Sequence, residues 1–276
     1  MKKNLPLSIL LTVVLYIFVL IYLVPLLLLL TNSIKSFREI MTNVMSFPTH
    51  IEWQNFAQAF KLMNYPHLFV NTLIVTVGGT LGVILFSSMA GYKLSRTKGR
   101  LSWFLFLLCI APMMIPFQSF MIALVKVARI GHLIGSDYGL AVIYWGLGAP
   151  LTVFLYHGFV KTVPRELDEC ATIDGCSTGR VFFRIIFPLL QPVTVSAIVL
   201  NAMWMWNDFL LPLLILSGTK ESLTLQIAVY SFFDRYKTDW HYAIAGVVLT
   251  ILPAVIFFIV MQKNIVKGMV AGAVKG

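Results

Sequence analysis

The stretch "ELDECATIDGCSTGRVFFRIIFPLLQP", residues 166–192, decides how this chain is read. Four carboxylates (Glu166, Asp168, Glu169 and Asp174) crowd in just ahead of Gly175, and an apolar run follows at once. The rest of the chain has the opposite character. Hydrophobic residues make up 59% of its 276 positions, charged residues only 12%, and the formal net charge is +10. Together with a mean hydropathy of +0.87, this composition argues against a soluble globular domain. A small acidic helix–turn–helix in such a chain needs a purpose beyond joining two hydrophobic segments.

Its local chemistry is legible. In "TVPRELDECATIDG" (162–175), Pro164 suits a first helical turn, and Glu166, Asp168 and Glu169 complement the positive N-terminal end of a helix. Gly175 is placed to stop that helix in the left-handed conformation. Leu167, Cys170 and Ala171 are expected on one face, two of them small. Ser177 is expected to cap the next helix, its hydroxyl accepting an orphan backbone N–H. That helix carries Arg180 and Arg184 on one side and meets Pro188 at the membrane. A short helix with a small-residue patch ringed by acids suits insertion into a groove on a partner.

Outward from this loop the chain breaks into long apolar stretches, each able to cross a ~30 Å hydrocarbon core with about 20 helical residues. Six are read: 7–30, 68–92, 101–125, 139–160, 189–216 and 243–261. They leave no room for a soluble domain, so residues 1–276 are expected to form a single transmembrane domain, with 161–188 as the loop between the fourth and fifth spans. The first run far exceeds the ~7–15 residues of a signal-peptide core and is followed by no small-x-small site, so a retained helix is expected.

Orientation follows from the basic residues. Lys2, Lys3, Lys93, Arg96, Lys98, Arg100, Lys161, Arg165, Arg180, Arg184, Lys263, Lys267 and Lys275 all fall on one side, in the shorter loops. The positive-inside rule then places both termini in the cytoplasm. The basic excess marks orientation, since clustered basic and aromatic residues of a nucleic-acid surface are missing. Cys109, Cys170 and Cys176 make no disulfide framework, and the five His residues lack metal-ligand spacing.

Within the spans, Gly78, Gly79 and Gly82 form a small face for close helix approach. Pro112, Pro116 and Pro150 are expected to kink their helices. Polar residues at membrane depth carry information because they are costly there. "LNAMWMWNDFLLPLL" sets Asn201, Asn207 and Asp208 among Trp204 and Trp206. Asp208 is expected roughly 28 Å across, near the outer interface. Two readings stay open there: an interfacial aspartate beside belt tryptophans, or an outer gate or hydrogen-bond node. Asn201, Trp204, Asn207 and Asp208 are the pathway or gate candidates. The outer segments 31–67 and 217–242 are long, and the second is expected to offer a docking surface to a soluble partner.

"GCSTG" at 175–179 matches the GxSxG of serine hydrolases, but that motif needs a strand before it, and here helices flank it. GxxxxGK[ST] and HExxH do not occur, so the chain neither cradles ATP in the P-loop manner nor carries that protease signature. No catalytic residue and no metal site is expected.

The run Glu169–Cys170–Ala171, three residues, Gly175, nine residues, Ile185, one residue, Phe187–Pro188 resembles the EAA motif of ABC importer permeases, with Cys170 in place of Ala and Phe187 in place of Leu. "FVNTLIVTVGGTLGVILFSSMAGYKLSR", "MIPFQSF", "WNDFLLPL" and "QKNIVKGMVAGAVKG" look like the maltose-transporter branch, so the resemblance covers most of the chain. It implies an all-α, six-span type I permease fold in the cell membrane of a prokaryote, importing a carbohydrate, a di- or oligosaccharide. It implies that the loop residues Glu169, Cys170, Ala171, Asp174, Gly175, Ile185 and Pro188 couple to a nucleotide-binding ATPase subunit, which holds the ATP and Mg. This chain itself is expected to bind no cofactor. The resemblance further implies a second homologous permease, an extracytoplasmic sugar-binding protein, and a glycine-rich tail (Gly272, Gly276) that reaches the ATPase. A gradient-driven transporter of a small polar solute is the alternative, and it leaves the EAA-like loop without a purpose.

Overall fold

A computed structural model of the chain describes residues 5–216, 218, 222–230, 232 and 239–273, with the backbone alone at 5–8 and 263–273. Every regular element among the described residues is helical. The helices are α1 (Leu5–Ser33), α2 (Phe37–Thr42), α3 (Gln54–Leu62), α4 (Tyr65–Arg96), α5 (Arg100–Ile110), α6 (Phe117–Ile130), α7 (Asp137–Val160) and α8 (Glu166–Ile173). They continue as α9 (Thr178–Leu189), α10 (Gln191–Asn207), α11 (Leu210–Leu216), α12 (Leu225–Tyr230) and α13 (Trp240–Ala273).

Helices α1, α4, α7 and α13 are each long and apolar enough to cross a membrane, and the number rises to 6 if two bent pairs each count as one span. The bent pairs correct two expected spans. In 101–125, a kinked helix was expected; instead α5 gives way to one 3-10 turn, Ala111–Met114, and α6 leaves at 109°. Pro112 and Pro116, four apart, each remove a backbone donor, so no α-helix bridges them. In 189–216, the chain turns by 79° between α9 and α10 and breaks again after Asn207. Asp208 takes an extended conformation there, and its Oδ1 accepts the Leu210 N–H at 3.1 Å. An aspartate that bonds its own backbone competes with helix continuation. By contrast, α7 runs unbroken through Pro150.

Two compact units make up the chain: one from residues up to Tyr65 with Ala228–Pro253, the other from Pro66–Ile227 with residues from Ala254 onward. The first unit contains much of the 31–67 segment, which is held by an internal hydrogen-bond web. Lys35 is fully buried, its ammonium donating to the carbonyls of Asn43 (3.2 Å) and Val44 (3.1 Å). The Asn55 side chain donates to Ser33 O and Lys35 O. Ser36 and Glu39 close a capping box at the start of α2. The Thr49 hydroxyl and amide, with the Ser36 amide, hold the Glu39 carboxyl down to about 2.

In the second unit α4 packs on α7 and α10 at its small residues. Gly79 lies so close to Met205 that a Cβ there would meet its sulfur at 2.7 Å, and a Cβ on Gly82 would overlap the Trp145 indole. The Trp145 Nε1–H donates to Gly78 O at 2.9 Å across that contact. One buried cluster gathers Val75, Val83, Leu140, Tyr144, Met205 and Leu211. A second gathers Tyr92, Tyr156, Val160, Val163, Ala171, Val181, Phe182 and Ile186 around the ends of α4 and α7. The docking surface expected at 217–242 needs correction in its middle, where residues 224, 225 and 227–229 are buried. Leu225 is fully buried, its amide donating to Thr72 Oγ1 at 3.0 Å, and Gln226 donates to Trp206 O at 2.7 Å. Residues 217, 219–221, 231 and 233–238 of that segment lie outside the described residues.

Candidate functional site

The acidic stretch forms α8, preceded by Arg165 at the N-cap. Pro164 lies before the cap and not in the first turn. Two residues at the end of α4 fasten this helix. Arg96 Nη2 lies 2.9 Å from Asp168 Oδ2, with the two side chains only 13% and 18% exposed. The Tyr92 hydroxyl donates to Asp168 Oδ1 at 2.5 Å. The same Arg96 nitrogen donates to Val163 O at 3.0 Å and Pro164 O at 3.4 Å, while Arg165 returns a bond to Ser95 O at 3.4 Å. A carboxylate so far out of water is tolerated only when paired and hydrogen-bonded, and Asp168 is both.

Fastening by Asp168 sets which face of α8 looks outward. Glu166, Glu169 and Cys170 are exposed, and Leu167 is 39% exposed. Ala171 is the correction: at 5% exposed it packs inward with Val163, Val181 and Phe182, so it is not part of an outward small-residue patch. The inward stripe is Asp168 and Ala171, three apart and therefore on one face.

Gly175 has φ 79°, as a left-handed helix stop requires. Its N–H donates to Thr172 O and the Cys176 N–H donates to Ala171 O, both at 3.0 Å, which together close a Schellman motif. Asp174 stands exposed at the C-cap. Ser177 occupies the expected N-cap position, but its side chain makes no capping bond. Its carbonyl instead accepts the Val181 N–H at 3.0 Å. The following helix is widened at Phe182–Ile186 into a π turn. Ile185 and Phe187 pack half-buried on the inner cluster, whereas Arg180, Arg184 and Pro188 stay exposed. His157 stacks on Phe106 with ring centroids 3.8 Å apart.

The four pathway candidates separate by partner. Asn201 is buried, donating to Thr152 Oγ1 at 2.9 Å and Ala197 O at 2.8 Å, a bond between α10 and α7. Asp208 accepts the Tyr144 hydroxyl on Oδ2 at 2.8 Å while Oδ1 starts α11. It is a hydrogen-bond node between helices. Trp204 stands edge-on to Tyr144. Trp204 and Asp208 line a cavity of about 320 Å³ with Gln118, Phe117 and Phe120. Asn207 is exposed and donates back to Met203 O at 2.7 Å. Gly272 lies within α13, and Gly276 lies outside the described residues.

Sequence reasoning missed Tyr92, Arg96, Tyr144 and Thr152, the partners of Asp168, Asp208 and Asn201. Lone hydroxyls inside apolar spans were the available signal for Tyr144 and Thr152, because an intramembrane hydroxyl needs a partner. One consequence is testable. Tyr144→Phe leaves Asp208 short of a donor, so the purified protein is expected to lose about 1–3 kcal/mol of stability. A thermal-unfolding comparison in detergent checks this, and an unchanged midpoint would show the bond to be idle.

Residues 83–270 match the family described as "Binding-protein-dependent transport system inner membrane component". The chain is 41% identical to the "Probable starch degradation products transport system permease protein" of Thermoanaerobacterium thermosulfurigenes, over 93% of both chains. It is 34% identical to the melibiose/raffinose/stachyose import permease protein of Bacillus subtilis, over 92% of this chain and 91% of that one. It is 35% identical to the multiple sugar-binding transport system permease protein of Streptococcus mutans, over 92% of each. Its fold is similar to a chain in the crystal structure of a bacterial ABC transporter involved in the import of the acidic polysaccharide alginate, with TM-score 0.82, 20% identity, and coverage of 95% and 98%. A profile match over most of the chain and full-length relatives of this kind lead to one conclusion: the protein belongs to the binding-protein-dependent transport system inner membrane components.

Proposed function

We propose that this inner-membrane component imports a carbohydrate, a di- or oligosaccharide, and is powered by ATP hydrolysed on a separate subunit. The relatives named above support the substrate class, since three of them at 34–41% identity are named for sugars or starch products. The observation that carries the coupling reading is the mounting of α8. Its acids Glu166 and Glu169 and its Cys170 face outward, while Asp168 is tied to Arg96 and Gly175 fixes the exit. Such a helix offers a nucleotide-binding subunit a fixed, acidic projection to seat in a groove.

The companion chains of this reading are a second homologous permease, ATPase subunits that hold ATP and Mg, and an extracytoplasmic sugar-binding protein. The basic ends of α4 and the 161–188 loop share one side through the Arg96–Asp168 pair, which supports a cytoplasmic face there under the positive-inside rule. The glycine-rich tail, through Gly272 and Gly276, is assigned a second contact with the ATPase. A gradient-driven mechanism finds no support, because the family works with a binding protein.

Reconstitution tests the proposal. In proteoliposomes this chain alone is expected to show neither ATPase activity nor uptake, since it lacks a P-loop. Both are expected when the companion permease, ATPase and binding protein are added. Uptake by this chain driven by a proton or sodium gradient, indifferent to ATP, would overturn it.

A further inference from the structure

The loop is attached to α4 more extensively than a docking helix requires. Arg96 reaches Asp168 inside α8 and the carbonyls of Val163 and Pro164 ahead of it. Arg165 reaches back to Ser95 O. Tyr92 donates to Asp168 and also lies against Phe182, with ring centroids 5.2 Å apart, just where the exit helix enters its π turn. The C-terminal end of α4 therefore holds the approach to α8, its body and the helix that follows. That end is itself pressed on α7: a Cβ on Gly91 would meet Tyr156 Cβ at 2.6 Å and His157 N at 3.0 Å. Further along, α4 carries Gly79 against Met205 and Gly82 against Trp145.

We infer that Tyr92 and Arg96 are positioning residues that make α4 move with the 161–188 loop, so that displacement of α8 reaches the α7–α10 contacts through α4. This rests on the coupling reading above and deepens it. The physical reason lies in the number and direction of the bonds. A single contact would let α8 swivel, whereas the ion pair, the phenol bond and the carbonyl bonds fix it from several sides. Little slack is left for a push on α8 to be absorbed within the loop.

Charge exchange in the assembled complex tests the inference. Arg96→Asp and Asp168→Arg, each alone, are expected to raise ATP hydrolysed per solute imported by about tenfold, a coupling loss within the usual range for linked sites. The ATPase should still co-purify. The double exchange Arg96→Asp with Asp168→Arg is expected to recover most of the ratio. If a single variant fails to accumulate, Tyr92→Phe serves instead, because it keeps the ring on Phe182 and removes one hydroxyl. It is expected to raise the ratio by a smaller factor, about two- to fivefold, because the Arg96–Asp168 ion pair stays in place when this one hydrogen bond is lost. Normal ratios in Tyr92→Phe and in the single charge variants would overturn the inference. Failure of the coupling reading itself is distinguishable, since Glu169→Ala on the outward face would then also leave the ratio and the attachment of the ATPase unchanged.

Discussion

Gly82→Leu is expected to abolish accumulation of the folded chain in the membrane. The Cβ alone would overlap the Trp145 indole, before any longer side chain is added. The indole cannot easily retreat, because its N–H is bonded to Gly78 O at 2.9 Å and its ring packs on Phe86 with centroids 5.4 Å apart. Overpacking a filled interior costs about 1–3 kcal/mol and sometimes more. Here the clash also breaks the hydrogen bond from Trp145 to Gly78 O, which adds the cost of a buried unpaired donor, about 1–3 kcal/mol. Between helices in lipid, close backbone approach is itself a main source of attraction, so holding α4 and α7 apart removes what binds them. Gly79→Ala makes the contrasting case. Its nearest clash, at 2.7 Å, is with the flexible Met205 thioether, which can turn aside, so near-normal accumulation is expected. Membrane abundance and the elution profile of the detergent-extracted protein are the measurements. Trp145→Ala in the Gly82→Leu background should restore part of the loss, and normal abundance of Gly82→Leu alone would refute the packing argument.

Much of the architecture is legible from patterns with a short range. The span cores follow from apolar length, and the small face at Gly78, Gly79 and Gly82 does meet a neighbouring helix. The stop at Gly175 follows from its position after a helical run, and φ 79° agrees. What escapes the sequence depends on long range. Which face of α8 turns inward is set by Asp168, and its partner Tyr92 lies 76 positions away. Without that partner, a carboxylate belongs on the wet face by every ordinary rule, so the pattern pointed to Leu167, Cys170 and Ala171 as one patch. The pair reverses the choice and takes Ala171 inside. Similarly, the sequence leaves Asp208 open between an interfacial acid and a gate or hydrogen-bond node until the Tyr144 hydroxyl, 64 positions away, is placed on it. The breaks at Pro116 and Asp208 lie between these cases. Their causes are local, but the 109° turn at the first is set by what the two halves pack against, which no local pattern carries.

The second large effect is expected at the outward face of the loop, where coupling should fail while the fold survives. Gly175→Val must place a β-branched residue at φ 79°, a strain of about 1–3 kcal/mol. A Cβ there meets nothing within 4 Å, so the damage is confined to the turn and does not reach the core. Loss of the turn opens the two Schellman bonds to Thr172 and Ala171 and lets the end of α8 unwind. Glu169→Ala removes an exposed charge that pairs with no side chain among the described residues. Both variants should therefore reach normal abundance, lose uptake by at least about tenfold, and release the ATPase or let it hydrolyse without transport. Asn at 175 should be far milder, because it tolerates the left-handed region. Ala171→Trp must behave differently from both. At 5% exposed, Ala171 sits among Val163, Val181 and Phe182, so the larger side chain should reduce abundance itself. Ser177→Ala is the control: with no capping bond to lose, it should transport normally. Uptake assays with quantified membrane levels and ATPase co-purification separate these outcomes. Normal transport with a firmly attached ATPase in both Gly175→Val and Glu169→Ala would mean that α8 is not the joint to the motor.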